Sequence, residues 1–415
     1  MKQTMAKKTV MAMFVVGFAV ISLADPTISD VVVRQRWPWS RLVDIDYVLT
    51  DEVGSLTDVT IKGYDGQTAL DLPLNSFSGD LYNVAPGFRK IVFNPLKTSY
   101  TNEPMTQFRV EIVARTPLYM VVDLTKAKGQ EGQIEYIYPG DSRLVTEGRY
   151  TNLWRDVTND VYKTDKLVLR RVKAGTFMMG SPVSELGRVA ANESRHQVTL
   201  SHDFFIAIYQ TTQKQWEHIT GTVPNCNFLG PSRPRDSVSY NNLRGVGFNW
   251  WSSNSIVAAD SFLFKLRNMT GIDDFDLPTD AQFEYACRAG TTTALNNGTD
   301  LTNTVSDANL NLLGRYGGSG GTTGGTAVVG SYLPNDWGLY DMHGNLWELC
   351  LDLFTANLGT ASITDPFGAK SGVFVVTRTG RWGNDAYWCR SASRNSAYVI
   401  DASPNTGFRV VRTLK

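Results

Sequence analysis

The chain has 415 residues, of which 42% are hydrophobic and 19% charged, with 40 Lys and Arg against 40 Asp and Glu. That length exceeds one ordinary core and points to two or three domains at roughly 150 residues each, and 36 Gly with 10 Trp, 17 Tyr and 19 Phe exclude wholesale disorder. The zero net charge excludes broad electrostatic binding to nucleic acid or to an anionic membrane.

Lys7 and Lys8 precede an apolar run from Thr9 to Leu23, which closes on Ser22-Leu23-Ala24 before Asp25-Pro26. A basic start, a short apolar stretch and a small-residue exit describe a secretory signal peptide over residues 1–24. The run is near the short limit for crossing ~30 Å of hydrocarbon. Its removal takes away three lysines and no acid, leaving a balance of −3. No second segment is long and apolar enough to span a bilayer, so the mature protein is expected to be secreted, periplasmic or at the cell surface.

Residues 25–115 read as a small all-β sandwich. Val31–Arg36, Leu42–Leu49, Leu56–Gly63, Arg89–Phe93 and Phe108–Val113 are rich in Val, Ile, Tyr and Phe, and Asp65-Gly66, Pro86-Gly87 and Asn94-Pro95 supply turns. Residues 116–165 read as a join containing one short apolar strand, Leu118–Leu124. From residue 166 to 415 the pattern becomes α+β. Leu167–Val172 is a strand; Thr211–Ile219 is a helix with Thr211 or Thr212 as cap, Ser261–Met269 a second with Phe262, Phe264 and Leu266 for burial, and Asp280–Ala289 a third capped by Thr279. The glycine-rich stretch from Gly314 to Gly325 is a surface loop by composition. With no Lys and no helix after it, it is not a phosphate loop.

Cys226, Cys287, Cys350 and Cys389 are widely spaced, with no C-x-x-C pair and so no zinc-ribbon spacing. In an oxidising compartment one or two disulfides are expected, with three complete pairings open. His196, His202, His218 and His343 form no i, i+3 or i+4 pair. No G-x-S-x-G elbow is present.

Ordered motifs then become recognisable: Phe177-Met-Met-Gly-Ser181, His196-Gln-Val-Thr-Leu-Ser201, Leu277-Pro-Thr-Asp-Ala-Gln-Phe-Glu-Tyr-Ala-Cys-Arg-Ala-Gly290, Asn335 to Cys350, and Gly407-Phe-Arg-Val-Val411. From about Leu167 to Leu414 the chain resembles the formylglycine-generating-enzyme (sulfatase-modifying-factor) family. The resemblance implies a C-type-lectin-like fold, but fold does not decide function. Members of the family oxidise a cysteine in a sulfatase peptide with copper and oxygen, form sulfur–carbon bonds with histidine-held iron, or use the lectin-like surface for binding.

The family's copper enzymes use two cysteines five residues apart before the final Gly-Phe-Arg. Here Cys389 has Asn384 in its partner's place. Cu(I) wants thiolates, which an amide cannot replace, so copper is not expected and Cys389 is left as the sole candidate catalytic residue. The family's structural calcium sites map onto His343, Gly344, Leu346 and Glu348, with Asn309 and Leu310 as an upstream pair; mixed carbonyl and carboxylate ligation suits calcium. The alternative for Glu348 is a plain salt bridge to an arginine. Cys389 could pair with Cys350 or with Cys287, bracing the C-terminal segment.

Arg390, Arg394, Phe408 and Arg409 fit the family frame as structural residues, and Trp382 fits a core position. Around them Arg381, Asn384, Asp385, Tyr387, Trp388, Ser393, Ser396, Tyr398 and Asp401 combine rings and short polar groups, the composition of binding surfaces. The expected function is recognition of an extracellular or cell-surface protein, peptide or glycan through residues 381–402, in an exported, non-catalytic protein. It also resembles the variable segment of retroelement-diversified relatives. The alternatives are a catalytic relative acting on sulfatase-type peptides and a structural envelope component.

Overall fold

The structure is a computed structural model that describes residues 26–36, 39–51, 57–82, 84–100, 107–246, 256–318, 324–369 and 371–414. The expected signal peptide and the tip of the glycine-rich loop lie outside the described residues. Among the described residues no helix is long and apolar enough to cross a membrane.

Two β-sheets form the N-terminal part. β1 (Thr27–Gln35), β2 (Val43–Thr50), β5 (Phe77–Gly79) and β6 (Gly87–Phe93) make one sheet in the order β1-β2-β6-β5; β3 (Asp58–Asp65), β4 (Thr68–Leu70) and β7 (Phe108–Arg115) make the other, in the order β4-β3-β7. β2 alternates buried and half-buried residues along its length, the period-2 pattern of a strand with one covered face. Ile45, Tyr47 and Leu49 of β2 share one apolar cluster with Val59, Phe77, Ile91 and Phe93.

The remaining chain is mixed α+β. The segment read as a join carries β8 (Tyr119–Asp123), β9 (Ile134–Ile137), β10 (Leu144–Glu147), β11 (Tyr150–Trp154) and the one-turn α1 (Val161–Thr164). β8 and β9 complete a six-stranded sheet with β12 (Lys166–Val172), β15 (Phe204–Ala207), β16 (Phe275–Asp276) and β22 (Val411–Thr413), in the order β16-β22-β15-β12-β8-β9. β8 is buried from Tyr119 to Val122, so it belongs to the interior of the larger body. Tyr138 donates to Asp58 at 2.5 Å, tying the first strands of the chain to that body.

Four helices open on hydroxyl caps. Thr212 and Gln215 form a reciprocal capping box at α2 (Gln213–Thr220), Ser239 and Asn242 another at α3 (Tyr240–Arg244), Ser261 caps α4 (Phe262–Thr270), and Thr279 with Gln282 boxes α5 (Asp280–Arg288). α3 had no apolar periodicity to announce it. A three-stranded sheet, β13-β14-β18, joins β13 (Gly175–Met179), β14 (His196–Leu200) and β18 (Ile363–Thr364), and a further sheet, β20-β19-β17-β21, joins β17 (Trp347–Leu353), β19 (Phe374–Arg378), β20 (Asn395–Tyr398) and β21 (Thr406–Gly407). The latter carries the C-terminal segment on which the functional reading rests.

Candidate functional site

Buried arginines hold that segment in place. Arg378, at the end of β19, meets Asp280 at 2.5 Å and Glu284 at 3.0 Å, both on α5. Arg394 reaches the other oxygen of Asp280 at 2.8 Å. Arg390 binds Glu185 at 2.5 Å and Glu193 at 2.7 Å, and Arg409 binds Glu348 at 2.7 Å. Burial opposes ionisation of Asp280, yet Arg378 and Arg394 hold its carboxyl below the usual range. Each pair is desolvated, so each is costly to break singly.

Between these anchors Gly380–Cys389 turns outward. Arg381, Asn384, Tyr387 and Trp388 are half-buried and Asp385 is exposed. Rings surround them: Trp382 meets Phe228 edge-on at 5.4 Å, and Trp388 lies 5.8 Å from Trp347 and 4.9 Å from Tyr387. The backbone of Gly187 packs against Tyr387 so closely that a Cβ there would overlap it. The amides of Ala386 and Tyr387 donate to Val305 and Thr304. Leu186 (42% exposed) and Val305 (56%) adjoin these contacts along the chain, and Leu229 (75%) follows Phe228.

The polar groups of this face are largely spent on the protein itself. Asn384 Oδ1 accepts from the Arg381 amide at 3.0 Å, and the Arg390 guanidinium is consumed by two glutamates. What remains facing outward is mainly apolar and aromatic, with the exposed Asp385 among the rings.

The other expected contact residues lie elsewhere. Ser393 is fully buried. Ser396 and Tyr398 sit on β20, where the Tyr398 ring lies tilted 5.6 Å from the exposed Phe374, and Asp401 is exposed just beyond. Phe374 pairs with Tyr398 at one end of the β19–β20 ladder, while the Arg381–Trp388 segment leaves the other end, beyond Arg378. The sequence-predicted face is therefore two patches at opposite ends of the β19–β20 hairpin. A separate cleft of about 140 Å³, lined by Trp216, Thr220, Asn241, Asp260 and Lys265 among others, opens between α2, α3 and α4 and contains none of them.

The thiols are all free, which corrects the expected bridge among Cys287, Cys350 and Cys389. Cys287, Cys350 and Cys389 each sit in a buried niche of their own, and Cys226 is half-buried. Cys287 Sγ faces the Met342 carbonyl and Ser391, Cys350 Sγ faces the Glu348 carbonyl, and Cys389 lies under Gly380. Burial pushes the Cys287 thiol up to about 11 and the Cys389 thiol further still. Such thiols are protonated and unreactive at neutral pH.

His343 is fully buried and its two nitrogens are assigned by their partners. Nδ1 donates to the Cys389 carbonyl at 2.6 Å, and Nε2 accepts from the Asn296 amide at 3.1 Å. The ring must be neutral, and burial lowers its pKa to about 4. A free histidine titrates near 6.5, so below that value the unfolded chain binds a proton that the folded one refuses. Stability from this ring is full above pH 6.5 and is lost as pH falls toward 4, by about 3 kcal/mol. Urea melts between pH 7.5 and 4.5 should show this loss, with a shallower slope for His343→Gln. An identical slope in the variant would place the acid lability elsewhere.

Among the described residues no three His, Cys, Asp or Glu side chains gather as a metal site, so a cation would rest on carbonyl oxygens. Of the family-derived calcium residues, three converge. Gly344 O, Leu346 O and Glu348 Oε1 lie 3.4, 3.1 and 3.0 Å from one point, the Nε2 atom of Gln210. Gln210 Oε1 and Asp341 Oδ1 are buried nearby without a hydrogen-bond partner. Such orphans mark a place for a water, while the point the three oxygens share is filled by the Gln210 amide nitrogen. The His343 carbonyl packs instead against Gly314. The Asn309 and Leu310 carbonyls already accept from Leu312 and Leu313. Glu348 is also the partner of Arg409, so the salt bridge and the cradle share one carboxylate.

Gln210, Phe228, Trp347 and the loops around Leu186 and Val305 had no sequence signal tying them to the C-terminal segment. A polar residue at the end of the apolar run Phe204–Tyr209 was the one hint for Gln210.

Comparison with known proteins gives a consistent result. The family model for the sulfatase-modifying factor enzyme 1-like domain matches residues 157–414. The formylglycine-generating enzyme of Thermomonospora curvata is 33% identical over 145 residues, covering 32% of this chain and 48% of that protein. The chain thus spans about half the length of the first curated relatives it matches. A protein named chaperone protein LppX, from Paenibacillus barcinonensis, is 30% identical over 275 residues, covering 60% of this chain and 90% of that one. The solved structure of PvdO from Pseudomonas aeruginosa aligns over 60% of this chain and 95% of its own, at 25% identity and a TM-score of 0.49.

Proposed function

Because this chain belongs to the sulfatase-modifying factor enzyme 1-like family, whose model covers more than half of it, we propose that it is an exported member that binds a polypeptide rather than oxidising one. In this reading the N-terminal sheets are a small β-sandwich carrying a C-type-lectin-like body. The contact surface is the Arg381–Trp388 patch with its apolar rim, and the partner is a protein or peptide at the cell surface or outside the cell.

The observation that carries the reading is the Asn384–Cys389 pair. The amide of Asn384 is bound to the Arg381 backbone, and Cys389 is a fully buried thiol. Copper-dependent oxidation in this family needs two thiolates, and here one is absent and the other protonated. The aromatic, apolar face supports a polypeptide over a glycan, since sugar recognition draws on unspent polar groups. A relative named a chaperone points the same way.

The test has two arms. Reduced protein given Cu(I), oxygen and a Cys-x-Pro-x-Arg peptide should leave the peptide cysteine unchanged by mass spectrometry; turnover would overturn the reading. On peptide and glycan arrays, signals should fall at least tenfold in Tyr387→Ala and Trp388→Ala, as for ring anchors at an interface, while Tyr398→Ala at the far patch has little effect. Equal loss from both patches would make the contact surface the whole hairpin. Signals on the glycan array alone would make the ligand a sugar.

A further inference from the structure

We infer that the cleft between α2, α3 and α4 is a second binding site, and that it takes a single neutral sugar ring. It shares no residue with the Arg381–Trp388 patch and does not depend on the polypeptide reading.

The cleft is lined by polar groups that are held in place yet left open. Trp216 is 9% exposed. Phe262 stacks on its indole at 5.1 Å, Arg235 lies over the ring at 4.7 Å, and Phe408 stands nearly at right angles to it, so the ring keeps one orientation. Its Nε1–H donates to no group among the described residues and, unlike the indole nitrogens of Trp154 and Trp382, is not sealed from solvent. Asn242 Oδ1 accepts from the Ser239 amide and hydroxyl, both at 3.0 Å, which leaves its NH2 as a donor. Asn241 is fixed at both backbone groups, by Val399 and by Gly245. The side chains of Asn241, Asp260 and Lys265 make no hydrogen bond or ion pair among the described residues.

A ligand for this set must accept from an indole, two amides and an ammonium, and donate to a carboxylate, within about 140 Å³. Cavities of about 150 Å³ hold one six-membered ring. A sugar hydroxyl both donates and accepts, and its bonds to Asp260 and Lys265 are of the stronger, charge-assisted kind. Phe262 and the indole edge supply an apolar floor for the C–H face of the ring. The charges of Asp260 and Lys265 cancel, so an ionic ligand gains no net attraction. An amino acid would match both charges but bring one carboxylate to four donor groups, and an inorganic anion would meet Asp260. One ring in an open cleft should bind in the millimolar range, too weakly to register on an array. A free monosaccharide and the terminal residue of a glycan offer the same chemistry.

The experiment is saturation-transfer NMR on the full mature chain. The probes are glucose, galactose, mannose and N-acetylglucosamine, with glycine and alanine as the zwitterionic class, each at about 10 mM. At least one sugar should receive saturation and the amino acids none. Asp260→Ala and Lys265→Met should each cut the transfer at least fivefold while the thermal midpoint stays within about 2 °C of wild type. Trp388→Ala should leave it unchanged. A disaccharide ending in the responding sugar separates the two sources: equal transfer marks chain ends and lost transfer marks free sugars, and both keep the site. Three results would overturn the inference: no transfer to any of these sugars, transfer to the amino acids that Asp260→Ala abolishes, or sugar transfer that survives both cleft variants. If one variant does not fold, the other decides.

Discussion

Arg378→Met is expected to destabilise the protein by about 3–5 kcal/mol, the usual consequence of removing one partner from a buried ion-pair network. The Arg378 side chain is fully buried and is the member shared by two acids, Asp280 at 2.5 Å and Glu284 at 3.0 Å. It also donates to the carbonyls of Ser391 at 3.1 Å and Ser393 at 3.4 Å. Its loss would leave Asp280 to Arg394 and Glu284 to Arg288, and would strip two carbonyls in the stretch that turns back toward β20. In a body of this size the midpoint of thermal unfolding should fall by roughly 10 °C. Arg378→Lys should recover only part of that, since an ammonium cannot span both acids and both carbonyls. A loss below about 1 kcal/mol in calorimetry would mean that the network contributes little and that the apolar clusters alone hold the hairpin.

A second large effect is expected from one methyl group. In Gly314→Ala the new Cβ would coincide with the carbonyl oxygen of His343. Nothing there can yield cheaply. His343 is fixed through its ring to Cys389, the Gly344 amide donates to Thr379 at 2.8 Å, and the Asn345 amide donates to Arg315 at 2.7 Å. Overlap with pinned backbone should cost at least ~3 kcal/mol, enough to give insoluble or protease-sensitive protein. Gly221→Ala is the control. Its φ is +72° and its Cβ would meet nothing within 4 Å, so only the left-handed backbone strain of ~1–2 kcal/mol applies. Equal losses in the two variants would show that the Gly314 contact relaxes.

The binding reading ties these sites to function. Arg378, Arg390 and Arg394 bracket the stretch that presents Arg381–Trp388, so damage to the frame should reach the patch. Variants in the patch should leave stability nearly intact. That separation distinguishes residues that hold the surface from residues that are the surface.

Some of this was determined by the sequence alone. The caps at Thr212 and Thr279, the apolar runs of β2, β7, β8 and β12, and Asn384 five residues before Cys389 are local features. A helix start or an alternating strand depends on neighbours within a few residues, and a missing ligand is visible as a letter. What lies far apart along the chain was decided only by the tertiary structure. Packing chose Asp280, Glu193 and Glu348 from among 40 acids as the partners of Arg378, Arg390 and Arg409. It buried Ser393, separated Tyr398 from Trp388, kept each buried thiol in its own niche, and placed Gln210 against a turn more than 130 residues away. Periodicity assigns a side chain to a face of its own element. Which other element covers that face depends on the simultaneous burial of all of them, and a single sequence does not display that.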